Sequence, residues 1–261
     1  MSLTFDEFKD EAKKLLNINL DGYKIKRVKR RTDSLMRRNN IENYSHCLEL
    51  LKKDPKFRAR YLGHFTINTS EFFRNPENFE FLEKEIFPEL LARKSKINIW
   101  SAPCSNGSEP YTVTIILQEM GIDSSRYKIL ASDLDPEILE AAEKGIYSRN
   151  SIKKVPEEIK KKYFAPSGED NNKYILDNKI KQQVEFEKKD LINDRYETGW
   201  DLILCRNFFI YLTGDLKKEL TSKFCRSLAQ KGYFFLGNTE FIFSPNNFGL
   251  EKIALSFYQK V

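Results

Sequence analysis

The spacing of apolar residues along the chain changes character near Ile97. Before it, apolar positions recur at three- and four-residue steps, the period of one face of a helix. Phe5, Phe8, Ala12 and Leu15 form a first stripe, with Thr4 and Glu7 making a capping-box pattern in front of it. Ile25, Val28 and Leu35 form a second stripe, and Ile41, Tyr44, Leu48 and Leu51 a third that follows Asn40. Asp54-Pro55 and Asn75-Pro76 each place a capping residue before a proline at the first helical position. After the second of these come Phe79, Leu82, Ile86 and Leu90. The spacing predicts an all-helical front end.

From Ile97 onward, short apolar runs alternate with helical stretches. Ile97–Trp100 reads as a buried strand, followed by a helix over Pro110–Met120 that Gly121 stops. Tyr127–Ser132 reads as the next strand, ending at Asp133, and Asp135-Pro136 starts a helix that Gly145 closes. Val184–Asp190, Trp200–Cys205 and Gly232–Gly237 are further strands, the last two separated by a helix over Leu216–Gln230. Leu250–Val261 reads as a terminal strand pair. Strands alternating with helices predict an α/β fold, a parallel sheet covered on both faces. The polar, Lys-rich segment from about Ser148 to Gln183 interrupts that rhythm. With a turn over Ser167–Asn172 and a short strand over Lys173–Asp177, it reads as an inserted small sheet or flap.

Ligands of open parallel sheets bind at the carboxyl ends of the strands, where strand order reverses. The strand ends here carry informative residues. The first runs into Ser101–Glu109, a stretch of small side chains that allows close approach to the backbone and ends in an acid. The second ends at Asp133, suited to gripping two ribose hydroxyls; the third ends at Asp190, and the fourth at Arg206-Asn207. A dinucleotide pyrophosphate would be repelled by Glu109 and would require a G-x-G-x-x-G loop, which the sequence lacks. S-adenosylmethionine has no phosphate and carries an ammonium and a sulfonium, so an acid beside the first loop favours it. Taken singly, Glu109 is equally an ordinary first-turn acid favoured by the helix dipole, and Asp133 a helix-approach cap.

Composition and charge narrow the class. The chain has 261 residues, 40% hydrophobic and 13% aromatic, ample for a core. It contains no apolar run of eighteen residues, and Met1–Lys14 lacks the layout of a signal peptide, so a cytoplasmic protein without membrane insertion is expected. Cys47, Cys104, Cys205 and Cys225 form no C-x-x-C pair and no metal spacing; they read as reduced thiols, with no metal expected. Lys and Arg outnumber Asp and Glu up to Phe65, and the excess peaks over Tyr23–Arg38. Such a face attracts polyanions, whether nucleic acid, acidic membrane or acidic protein; otherwise it is a solvated helix face.

Four segments together resemble the chemotaxis receptor methyltransferases of the CheR type: Thr66–Asn75 (TINTSEFFRN), Ile99–Thr112 (IWSAPCSNGSEPYT), Ala131–Tyr147 (ASDLDPEILEAAEKGIY) and Leu202–Leu212 (LILCRNFFIYL). These enzymes use S-adenosylmethionine to methylate glutamate side chains of chemoreceptors, releasing S-adenosylhomocysteine. The resemblance covers almost the whole chain. It implies an N-terminal helical receptor-docking domain, residues 1–75. A Rossmann-like methyltransferase domain, residues 76–261, follows, with a small antiparallel β-subdomain inserted at about 148–183. Carried over by motif, the cofactor residues are Asn68, Ser70, Arg74, Glu109, Asp133, Asp190, Leu191, Arg206 and Asn207. Ser70 stands where threonine is usual, Asp190 where asparagine is common, and Gly237–Glu240 (GNTE) replaces the usual GHSE.

Methyl transfer to glutamate asks little of a base, because a carboxylate with a pKa near 4.3 is already ionised at neutral pH. Opposite charges vanish along the reaction, so water exclusion and alignment become the main tasks. The only histidines, His46 and His64, lie in the helical front end, away from the strand tips. The resemblance points to Arg74 for holding the substrate carboxylate or the cofactor's own, and to Tyr211 for orienting the acceptor oxygen. Lys26, Arg27, Arg30 and Arg31 would dock the glutamate-rich cytoplasmic helices of the receptor onto a monomeric enzyme. A nucleic-acid methyltransferase is the competing class. No N-P-P-Y motif supports it, and Pro103-Cys104, which resembles an attacking cysteine, sits in the cofactor loop. A third reading is a binding module that has kept the fold and lost turnover. Ser167–Asn172 is not glycine-rich enough to predict that the inserted sheet tethers a receptor peptide.

Overall fold

A capping box opens the first helix: the Glu7 N–H donates to Thr4 Oγ1 at 3.3 Å, and the Thr4 N–H donates to Glu7 Oε2 at 2.8 Å. The computed structural model of the chain describes residues 2–65, 70–168 and 170–261. Four helices form the front end: α1 (Phe5–Leu16), α2 (Ile25–Arg38), α3 (Tyr44–Lys53) and α4 (Pro55–Phe65). Their apolar stripes meet in one core around Phe8, Val28, Leu35, Leu51, Phe57 and Tyr61. Asn40 does not precede a helix directly; it is the left-handed residue (φ 54°) that ends α2. The Asn40 and Ile41 N–H groups fold back to the carbonyls of Arg37 and Met36, at 3.4 and 2.9 Å. That is the pattern in which a left-handed residue satisfies the last carbonyls of a helix. Asn43 then caps α3, accepting from the His46 N–H at 2.9 Å.

Helices α5 (Pro76–Phe81) and α6 (Phe87–Arg93) are joined through one π turn, Leu82–Ile86, just ahead of Pro88, which has no N–H for an ordinary turn. The rest is the alternation expected: β1 (Ile97–Ser101), α7 (Ser108–Glu119), β2 (Tyr127–Asp133) and α8 (Pro136–Lys144) come first. Next are β3 (Ile146–Ser148), α9 (Glu157–Tyr163), β4 (Phe164–Ser167), β5 (Asp170–Leu176) and α10 (Asn178–Lys181). The chain closes with β6 (Val184–Lys188), β7 (Trp200–Cys205), α11 (Gly214–Ser227), β8 (Leu228–Leu236), β9 (Leu250–Lys252) and β10 (Phe257–Lys260).

Seven strands form the main sheet in the order β6-β2-β1-β7-β8-β10-β9. The first five are parallel to one another, and β10 runs antiparallel to both β8 and β9. The chain leaves β1 toward β2 on one side and returns as β7 on the other, which puts the switch point between β1 and β7. Residues 228–230, expected to finish α11, instead begin β8: Leu228 pairs with Trp200, and a bulge follows in which Lys231 is left-handed (φ 58°). Sheet pairing here overrides the helical spacing of the sequence. A separate three-stranded antiparallel sheet, β3-β5-β4, sits between α8 and β6 and begins at Ile146.

Phe72 is fully buried between the rings of Tyr147 and Phe164, at 4.7 and 5.0 Å, and its N–H donates to the Ser151 carbonyl at 3.0 Å. Glu71 pairs with Lys154 at 2.6 Å and Lys153 at 3.5 Å. The segment leading to Arg74 is thereby pinned to the inserted sheet.

Candidate active site

At the switch point the loop from β1 to α7 turns through Gly107, whose φ is +79° and whose missing Cβ would lie 3.0 Å from both Ala142 and Tyr111. Only glycine fits that combination. The turn lets the Ser105 N–H donate to Asp133 Oδ2 at 2.9 Å, tying the tip of β1 to the tip of β2. Asp133 Oδ1 accepts from the Asp135 N–H at 3.1 Å. Burial pushes the Asp133 carboxyl up to about 6, with those two hydrogen bonds acting in the opposite direction.

The acid expected to face the ligand alone has a partner. Glu109 Oε1 accepts from Ser101 Oγ at 2.8 Å, and Oε2 faces Arg206 Nη1 at 3.2 Å. Arg206, at the tip of β7, also donates through Nη2 to the Arg74 carbonyl at 2.7 Å and to Asn75 Oδ1 at 3.0 Å. Its guanidinium lies over the rings of Phe235 and Phe79, at 4.6 and 5.3 Å. Burial draws the Arg206 pKa down and Glu109 opposes it. Asn75 is therefore no side-chain cap for α5: it is left-handed, and its carbonyl serves Arg206.

One cavity collects Ser70, Arg74, Glu109, Asp133, Asp190, Leu191, Arg206, Asn207 and Tyr211, with Arg27 and Arg31 of α2 at the same space. Its empty volume is about 1230 Å³, open mouth included. Asn68 lies outside the described residues. Lys26 and Arg30 are exposed and do not line the cavity. Asp190 is committed locally, accepting the N–H groups of Ile192 and Asn193 and the Asn193 amide, at 2.8, 3.3 and 2.8 Å. Arg74 differs from Arg206 and Asp190 and, in lacking an ionic partner among the described residues, resembles Arg27. Its guanidinium makes no hydrogen bond or ion pair with a described residue.

Two participants were not foreseen. Tyr23, from the turn before α2, lines the cavity, and its hydroxyl pKa is raised by burial first and then by Asp190 and Asp133. Glu240, from the GNTE loop, is buried and accepts the N–H groups of Asn207, Gly237 and Ile210 at 2.6, 2.8 and 3.1 Å. A Cβ on Gly237 would sit 2.7 Å from Glu240 Oε2, so the glycine permits that approach. On the opposite side, the Lys24 N–H donates to the Tyr211 carbonyl and Lys24 Nζ to the Ile210 carbonyl, both at 3.0 Å. Arg27 lies over the Tyr211 ring at 4.7 Å. The turn carrying Asn207 and Tyr211 is thus held through its own backbone groups, by the Glu240 carboxylate and by Lys24. Only the last residue of the GNTE motif hinted at this.

These residues suit a methyl donor of the S-adenosyl type. Asp133 retains lone pairs for ribose hydroxyls, small side chains line the first loop, and a paired Glu109–Arg206 dipole matches the ammonium and carboxylate of a zwitterionic tail. Cys104 is buried with its thiol raised well above the ordinary range by burial, so it is unsuited to act as an attacking thiolate. The sheet order and this acid-bearing cradle, which lacks a G-x-G-x-x-G loop, define a Rossmann-like methyltransferase of the S-adenosylmethionine-dependent class.

Family comparison agrees. The description "CheR methyltransferase, all-alpha domain" matches residues 3–66 and "CheR methyltransferase, SAM binding domain" matches residues 68–256. The chain belongs to the CheR methyltransferase family. It is 35% identical over 250 residues to the chemotaxis protein methyltransferase of Listeria monocytogenes, covering 95% of this chain and 94% of the relative. With the chemotaxis protein methyltransferase of Borreliella burgdorferi it shares 30% identity over 279 residues, 99% of this chain and 97% of the relative. No described helix is long and apolar enough to cross a membrane.

Proposed function

We propose that this chain methylates glutamate side chains on the cytoplasmic helices of chemoreceptors, giving glutamate methyl esters, and that it does so as a cytoplasmic monomer. In this reading residues 1–75 dock the receptor and residues 76–261 carry the transfer. The supporting observation is the pairing of charges in the cavity. Glu109 and Arg206 neutralise each other, whereas the Arg74 guanidinium has no partner among the described residues and is available for a carboxylate.

When bound, S-adenosylmethionine supplies an electrophilic methyl carbon on a positive sulfur. Arg74 holds the incoming glutamate carboxylate, or the carboxylate of the cofactor itself, by hydrogen bonds to the ionised form. Tyr211 offers a hydroxyl to orient the acceptor oxygen. Its pKa is raised, chiefly by burial, so it donates as a phenol and removes no proton. Among the described residues no histidine lines the cavity, and none is needed for an acceptor that arrives ionised. Asp133, Asn207 and Leu191 place the nucleoside end, and the Glu240 clamp fixes the turn that carries Asn207 and Tyr211. The chemistry is in-line displacement governed by positioning.

Mass spectrometry of receptor cytoplasmic fragments after incubation with the protein and S-adenosylmethionine tests this reading, with nucleic acid offered in parallel. Base-labile methyl groups on glutamates are the expected product. Methyl groups found only on nucleic acid would replace the proposal with the competing one.

A further inference from the structure

We propose that Phe241 and Phe243, together with the start of α2, form a docking face for an acidic amphipathic helix, namely the segment of the substrate that carries the methyl-accepting glutamate; the identity of that partner rests on the function proposed above. Phe241 is 55% exposed and Phe243 77%, and their rings meet edge to face at 4.8 Å. Ile242 between them is buried, and its N–H donates to the Tyr258 hydroxyl at 3.1 Å. With Ile242 buried between them, both phenyl rings lie on the solvent side. Two adjoining phenyl rings held in water are the kind of exposed apolar surface that marks an interaction site.

Their position in the chain ties them to the turn that carries Tyr211. Ile210 receives the Glu240 carboxylate on its N–H and the Lys24 ammonium on its carbonyl, at 3.1 and 3.0 Å. Phe241 follows Glu240 directly, and Ile25, itself 45% exposed, follows Lys24. Each residue that holds the Ile210–Tyr211 turn is thus followed in the chain by an exposed apolar residue, and Tyr211 lines the cavity. A partner that presents a carboxylate to Tyr211 would come close to this turn. From Ile25 the surface continues along α2 into Lys26, Arg27, Arg30 and Arg31. One amphipathic helix can meet both parts, with carboxylates against α2 and apolar side chains three or four residues apart against the phenyl rings. A second copy of this chain would bring like charge onto like charge.

The test uses the full chain and a helical, glutamate-bearing fragment of a chemoreceptor cytoplasmic domain. The variant Phe241→Ala/Phe243→Ala is compared with wild type and with Phe241→Leu/Phe243→Leu. Losing two central aromatic anchors is expected to raise the KM, and the Kd by fluorescence anisotropy, about tenfold, while the leucine pair restores most of it. The calorimetric Kd for S-adenosylhomocysteine and kcat are expected to hold. Unchanged Kd and KM for the fragment would overturn the proposal. So would loss of binding to anionic phosphatidylserine vesicles, or a shift in oligomeric state by light scattering, with the fragment Kd intact. If wild type binds the fragment without methylating it, the function above fails and the anisotropy alone decides the docking face. If wild type does not bind it, the docking face fails, and the calorimetry still reports on the cofactor site.

Discussion

Arg206 Nη1 and Glu109 Oε2 stand 3.2 Å apart at the switch point of the sheet, with both side chains almost wholly buried. Their mutual neutralisation makes the floor of the cavity a dipole instead of an anionic patch. Removing one member of a buried pair strands the other, at a cost of about 3–5 kcal/mol. Arg206→Ala is expected to lose that much in chemical denaturation and also to lose cofactor binding, because the Arg74 carbonyl and Asn75 amide lose their donor. Glu109→Gln keeps an acceptor oxygen and is expected to cost less, about 1–3 kcal/mol. An Arg206→Ala protein with an unchanged denaturation midpoint would mean that the pair does not hold the site together.

Arg74 gives the opposite forecast. With no hydrogen-bond or ion-pair partner among the described residues, its truncation is expected to leave stability within about 0.5 kcal/mol of wild type. Turnover should nonetheless fall at least about tenfold, roughly 1.4 kcal/mol of transition-state stabilisation, and likewise for Tyr211→Phe. Single-turnover kinetics beside thermal melts separate the two effects. Wild-type rates from both variants would remove these residues from the mechanism.

Glu240 never needs to touch a ligand to matter. Its two oxygens receive three backbone N–H groups, and glutamine offers only one oxygen, turning an amide NH2 against a backbone N–H. Glu240→Gln is expected to lower kcat/KM about tenfold and stability by about 1–3 kcal/mol. A variant that loses stability alone would show that the turn keeps its shape without the clamp.

Much of this arrangement was legible in the spacing of residues, and the remainder was hidden for identifiable reasons. Helical periods and charged strand ends gave the layers and the switch-point cradle, where the structure places Asp133 and Arg206. The Glu109–Arg206 pair joins positions 97 residues apart, so Glu109 read as a lone acid. Asp190 lines the cavity as expected, but its carboxylate also accepts from its own turn, which depends on the backbone after it. The bulge that draws Leu228 into β8 is a sheet-pairing effect invisible to local periodicity. Tyr23 carried no signal until the turn before α2 was seen against the cavity.

Protonation of Asp133 is expected to link pH to the proposed cofactor affinity. Its carboxyl is raised from 3.8 to about 6, so the folded protein holds this proton more tightly than the unfolded chain. The sign for stability follows: the ionised form is the unfavourable one, so this group's cost develops as pH rises between those values and is full above the higher one. Ligand binding runs the other way, since ribose hydroxyls need an ionised acceptor. Affinity for S-adenosylhomocysteine is expected to fall roughly tenfold per pH unit below that pKa. Calorimetry across that range should show the step in wild type and a flat profile in Asp133→Asn. A step retained in the variant would assign the dependence elsewhere.

The basic residues of α2 divide into two groups with different expected consequences. Lys26 and Arg30 point to solvent, whereas Arg27 covers the Tyr211 ring and lines the cavity with Arg31. Reversing Lys26 and Arg30 to glutamate should therefore act through long-range attraction. We expect KM for a receptor fragment to rise several-fold at low salt, with the difference from wild type shrinking as ionic strength shortens the Debye length from about 30 Å at 0.01 M to 10 Å at 0.1 M. Arg27→Ala removes a contact on Tyr211, worth about 0.5–2 kcal/mol, and, if that residue orients the acceptor as proposed, should lower kcat about two- to thirtyfold at every salt concentration. Steady-state kinetics at two ionic strengths distinguishes them. If both variants respond to salt alike, α2 acts as one undivided charged surface and the contact between Arg27 and Tyr211 has no part in catalysis.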